Sequence, residues 1–185
     1  KNENNMSTLV KITWAIDPTH SEVEFKIKHL VISTVKGIFK EFTGAVDVEG
    51  DDFTTAEFHF EANVDSIFTN QADRDVHLKS ADFFDVANYP KISFKSTEVT
   101  KKSDNTYTIT GDLTVRDITR TVHLTADFGG VATDPYGNVK AGFEITGAIN
   151  RKDFGLTFHA VTEAGNIVLG EDIKLNINVQ FAKQA

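Results

Sequence analysis

The chain has 185 residues, 40% of them hydrophobic and 25% charged, with a net charge of −8, 15 Phe and no Cys. That length suits one domain, burying roughly 70% of its unfolded surface on folding. The acidic balance argues against nucleic-acid or anionic membrane partners, which need clustered Lys and Arg, and the lack of Cys removes disulfides, thiolate zinc sites and cysteine nucleophiles together.

No apolar run approaches the ~18 residues of a membrane-spanning helix. The only Met is Met6, followed by Ser7. It reads as a native start, so residues 1–5 are expected to be left by expression and residues 6–185 to form a single domain. Ser7 to Ile16 carries no signal-peptide pattern, which favours the cytoplasm.

Period-two alternation then runs through the chain. Val23, Phe25 and Ile27 alternate with Glu22, Glu24, Lys26 and Lys28; Phe58, Phe60, Ala62 and Val64 alternate with Glu57, His59 and Glu61. Tyr107, Ile109, Gly111, Leu113 and Val115 follow, then Val122 to Phe128, Phe143 to Ile149, and Ile173 to Phe181 on every second residue. One apolar and one wet face per strand is the pattern of an antiparallel sheet covered on one side. Turn residues separate the runs at Glu49 to Asp52, Ser103 to Asn105 and Asp134 to Asn138. Arg116 to Thr119 reads as a tight hairpin, with Asp117 expected in the left-handed backbone region. The expected fold is all-β: a single antiparallel eight-stranded barrel, since closure removes exposed edges.

One segment breaks the alternation. Ala72 to Asp85 predicts a short helical insert near residues 70–86, capped by Asn70 and carrying Asp73, Arg74, Asp75 and His77. Between two strands, it is expected to lie across one barrel end as a lid, with ionic links from Arg74 and the flanking Asp residues.

An eight-stranded barrel is either filled or holds one small ligand. Gly37, Gly44, Gly111 and Gly147 fall within strands, where they bend the sheet or leave room. Large inward side chains spread along the wall would make an apolar tunnel. Strand parity assigns that wall to Phe25, Ile27, Phe39, Phe42, Phe58, Phe60, Ile92 and Phe94. Ile109, Leu113, Leu124, Phe143, Ile145, Leu175 and Ile177 complete it. Phe39 and Phe42 both face inward only if the backbone is irregular between them.

Six His residues show no metal-ligand spacing, and no metal site or catalytic set is expected. His20, Arg74 and His77 are the candidates for a polar end of the cavity. Two alternatives stand beside lipid binding. One is an enzyme using His77 with Asp73 or Asp75 on an isoprenoid or quinone; the other is a filled barrel acting through its surface.

Several motifs occur in order: Trp14-Ala15-Ile16-Asp17-Pro18-Thr19-His20-Ser21, Gly37-Ile38-Phe39, Phe42-Thr43-Gly44 and Arg74-Asp75-Val76-His77-Leu78. Ser80-Ala81-Asp82-Phe83-Phe84-Asp85, Tyr89-Pro90, Gly111-Asp112-Leu113-Thr114-Val115 and Arg151-Lys152-Asp153-Phe154-Gly155 follow. From Trp14 to Phe181 the chain resembles the YceI-like family of polyisoprenoid-binding, lipocalin-like bacterial proteins. The resemblance implies an extended lipocalin-like barrel that carries or sequesters a polyisoprenoid, an isoprenoid quinone precursor or a fatty acid or amide. It implies no cofactor besides the lipid, no catalytic residues, a homodimer as one form, and a periplasmic or secreted location for many members.

Overall fold

The computed structural model describes residues 10–159 and 169–185; Met6 and residues 1–5 lie outside the described residues. The strands are β1 (Lys11–Ile16), β2 (Glu22–His29), β3 (Ser33–Phe39), β4 (Phe42–Glu49), β5 (Asp52–Asn63) and β6 (Ile67–Phe68). After helix α1 (Ala72–Lys79) come β7 (Lys91–Lys101), β8 (Thr106–Val115), β9 (Ile118–Thr133), β10 (Val139–Asn150) and β11 (Leu169–Lys183).

The barrel of eight antiparallel strands follows the order β1-β4-β5-β7-β8-β9-β10-β11, and β11 closes it by pairing back to β1. The closing register sets Trp14 opposite Lys183 and Ile16 opposite Phe181. β11 is long enough to pair with β2 as well, at Val23–Ile177, Phe25–Leu175 and Ile27–Ile173. β1 and β2 are therefore two halves of one broken strand, interrupted at the turn Pro18–His20. β3 pairs with β2, and on its other side with the two-residue β6 at Phe39–Ile67.

Bulges adjust which residues face inward. Between β7 and β8, Ser96 pairs with Gly111 and Glu98 with Thr110, so Thr97 is extra and Val99 turns into the core. The buried Ser96 Oγ then accepts from the Phe58 N–H at 2.8 Å. Between β9 and β10, Gly142 pairs with Gly130 and Phe143 with Phe128, leaving Gly129 extra beside Gly130 at φ 107°. In the β8–β9 hairpin Arg116, not Asp117, takes the positive φ (57°).

At the break between β1 and β2, Asp17 Oδ2 meets Lys140 Nζ at 2.5 Å and His20 Nδ1 at 2.9 Å. The Lys140 ammonium, then the Thr19 hydroxyl and His20, hold the Asp17 carboxyl well below the usual carboxylate range. A lowered native value adds stability at neutral pH, and this fades as acid protonates the group from about pH 4 downward. Asp17→Asn is therefore expected to lose about 1–2 kcal/mol at pH 7. Urea midpoints of the two proteins should converge as the pH falls below about 4.

The interior is filled unequally. The Phe143 ring centroid lies 5.2 Å from Phe53, 5.1 Å from Phe128, 6.1 Å from Phe58 and 6.0 Å from Phe181. Edge-to-face and tilted contacts of this kind form an aromatic plug. It stops one end of the barrel, where β5 and β8 begin.

Candidate functional site: an apolar lumen with a basic end

Beyond the plug the barrel is open inside. A cavity of about 530 Å³ runs from a floor at Phe58, Val179 and Phe181 toward the far ends of β8, β10 and β2. That is within the ordinary range of ligand cavities, ~300–1,000 Å³. Ile109, Leu113, Leu124 and Ile145 stand on one side of the lumen, with Phe25, Ile27, Leu175 and Ile177 on the other. Phe39, Phe60, Ile92 and Phe94 also line it.

Three residues assigned from the sequence are elsewhere. Phe143 packs across the barrel in the plug, because the β9–β10 bulge sets it opposite Phe128. Phe42 stacks on Phe60 at 6.1 Å and does not reach the lumen. The extended backbone is interrupted at Lys40 and Glu41, between β3 and β4, and this irregularity allows Phe39 to face the lumen on its own. His20 is exposed at the β1–β2 break, bonded to Asp17, and does not line the lumen as Arg74 and His77 do.

The strand glycines hold the lumen open indirectly. A Cβ on Gly37 would lie 2.3 Å from the Phe25 ring, one on Gly111 2.5 Å from the Phe94 ring, and one on Gly147 2.6 Å from Leu124. The missing side chains let Phe25, Phe94 and Leu124 lie flat against the wall. The space is thus taken by wall residues, and the lumen keeps its width.

The insert covers the end opposite the plug. Leu78, Phe83 and Phe84 face the cavity, and Phe84 meets Phe39 edge-on at 6.3 Å. Gln71, rather than Asn70, caps α1 by accepting from the Arg74 N–H, while Asn70 adopts φ 63°. The expected ionic links are replaced by hydrogen bonds to Thr69. Arg74 donates to its hydroxyl at 2.8 Å and its carbonyl at 2.7 Å, and Asp75 accepts from its hydroxyl at 2.5 Å and its N–H at 2.9 Å. His77 pairs with Asp82 at 2.9 Å rather than with Asp73 or Asp75, and its ring meets Phe83 and Phe158, each at 5.0 Å.

Two polar residues of this end escaped the sequence reading. Arg151 and His29 both line the lumen. Their signal was parity: Arg151 continues the inward series Ile145, Gly147, Ile149, and His29 continues Val23, Phe25, Ile27. On the outer wall, Asp47, Glu57 and His59 bring one ligand atom each within 4.8 Å of one another. Asp47 there already accepts from Thr13 at 2.5 Å and lies 3.8 Å from Lys11, as in an ordinary surface ion cluster.

A closed antiparallel barrel, plugged at one end and hollow at the other, defines the class of small β-barrels with a ligand-sized apolar interior. Residues 14–181 match the model of the YceI-like domain, and the chain belongs to that family. A UPF0312 protein of Staphylococcus aureus (strain N315) is 37% identical over 170 residues, 91% of this chain and 96% of the relative. The YCEI protein of Campylobacter jejuni superposes with a TM-score of 0.74 at 33% identity, over 86% of this chain and 91% of that one. A polyisoprenoid-binding domain from Saccharophagus degradans shares the fold, with a TM-score of 0.68 at 12% identity over 92% and 98% of the two chains. Among the described residues no helix is long and apolar enough to cross a membrane.

Proposed function

We propose that the protein carries or sequesters one long-chain lipid inside the barrel: a polyisoprenoid, an isoprenoid quinone precursor, or a fatty acid or amide. The blind apolar lumen carries this reading, since its walls offer hydrocarbon contact along most of the barrel. Each methylene buried there contributes ~0.8 kcal/mol, so a chain of about ten gains ~8 kcal/mol before the entropy of association is subtracted. Long chains are therefore favoured over short ones. No catalysis is part of this reading.

The test is native mass spectrometry of the purified protein with lipid extraction, followed by loading with added polyisoprenol and fatty amide. A stoichiometric long-chain adduct is expected. Phe60→Asp, which places a charge on the lumen wall, should abolish most loading, whereas His59→Asp on the exposed face should leave it nearly intact. Equal loading of the two variants, or no loading of the wild type by any long-chain lipid, would overturn the proposal.

A further inference from the structure

The lumen is apolar, yet its polar groups share one sign. Arg74, Arg151, His29 and His77 line it, and among the described residues neither Asp nor Glu does, in a chain with a net charge of −8. All four converge at the end opposite the plug. Arg151 Nη1 donates to the Phe158 carbonyl at 2.8 Å, and the Phe158 ring lies 5.0 Å from His77. Arg74 precedes His77 by one helical turn on α1. His29 pairs with Leu169, whose neighbour Gly170 accepts from Arg151 Nε at 2.7 Å.

Arg151 is the deepest of them, at 2% exposure. Its Nε bonds the Gly170 carbonyl, and its Nη1 bonds the carbonyls of Leu156 (2.6 Å) and Phe158. Nη2 is buried and has no hydrogen-bond partner among the described residues. Glu171, whose charge reaches Arg151, is itself ion-paired with Lys152 at 2.6 Å. Burial lowers the guanidinium's affinity for its proton, but an Arg stays charged at neutral pH. Among the described residues this buried cation is held only by carbonyls, with one N–H group unpartnered, which is unusual enough to call for a ligand.

We propose that Arg151, assisted by Arg74, binds an acidic head group, a carboxylate or a phosphate monoester, of the lipid whose tail lies in the lumen. This rests on the lipid-carrier reading and narrows it to anionic lipids. The polarity of the cavity fits an amphiphile held tail-first. The tail ends at the plug, and the head lies about 25 Å away, the length of β10 from Phe143 to Arg151. A guanidinium already pinned by three carbonyls loses little freedom on accepting an anion, and a charge-assisted bond in a water-poor site is strong.

The experiment compares hexadecanoic acid, hexadecyl phosphate, hexadecanol and hexadecanamide on the wild type, by displacement of a fluorescent fatty probe. Acid and phosphate are expected to bind about ten- to a hundredfold tighter than alcohol and amide, the worth of one charge-assisted hydrogen bond. Arg151→Met should erase that preference while the alcohol's affinity stays within a few fold, and Arg151→Lys should retain part of it. If Arg151→Met does not fold, the wild-type series decides alone. Equal affinities for acid and alcohol overturn the head-group assignment and leave the lipid carrier standing. Failure of all four to bind overturns the carrier itself. Inorganic phosphate is the control for a free anion. Displacement of hexadecyl phosphate by it at comparable concentration would assign the site to a soluble anion and overturn the head-group reading.

Discussion

Phe143→Ala is expected to cost the fold about 3–5 kcal/mol, the range for emptying a large aromatic site in a packed core. Phe143 is 5% exposed and sits between Phe53, Phe58, Phe128 and Phe181, whose rings, with its own, come from the four strands β5, β9, β10 and β11. None of these neighbours can collapse into the space without abandoning another aromatic contact. Phe25 is the control. It is only partly buried and already borders the open lumen, so Phe25→Ala enlarges an existing cavity and should cost distinctly less. Urea denaturation of both variants measures the difference. Equal losses would show that the plug and the wall are packed alike, contrary to the division between filled and hollow ends.

Gly111→Ala should damage both stability and loading. The added methyl would lie 2.6 Å from the Lys95 carbonyl oxygen and 2.5 Å from the Phe94 ring. The first contact is with backbone in the β7–β8 ladder, next to the bulge at Thr97, and relieving it means shifting a strand. The second is relieved by swinging Phe94 away from the wall, into the lumen. Overpacking of this kind costs about 1–3 kcal/mol. The more informative consequence is a narrower cavity, read as weaker retention of a long-chain lipid than in wild type at matched temperature below unfolding. Gly142→Ala meets nothing within 4 Å and should change neither property. A destabilised Gly111→Ala that still loads lipid normally would mean that Phe94 does not set the width of the lumen.

Much of this architecture was legible in the chain. Period-two alternation identifies the strands and their inward faces because successive side chains in a strand point to opposite sides. That rule placed Phe25, Ile109, Leu113 and Ile145 on the interior, and the helical insert stood out by breaking it. The same rule carried an unused signal in Arg151 and His29, which keep the inward parity of β10 and β2 but are polar. The pattern also located the strand glycines, although not what covers them.

What local pattern determined, then, was an all-β closed barrel with a helical lid and an apolar interior. Whether that interior is filled or hollow was decided by tertiary structure alone, because it depends on which side chains meet across the barrel. Phe143 and Phe25 have the same parity and chemistry, yet one plugs and the other lines. The difference comes from a bulge at Gly129 and from the absence of a side chain at Gly37. The convergence of Arg151, Arg74, His77 and His29 at one end is likewise a matter of strand pairing and of the lid's seat, since residues far apart in the chain become neighbours only when the sheet closes.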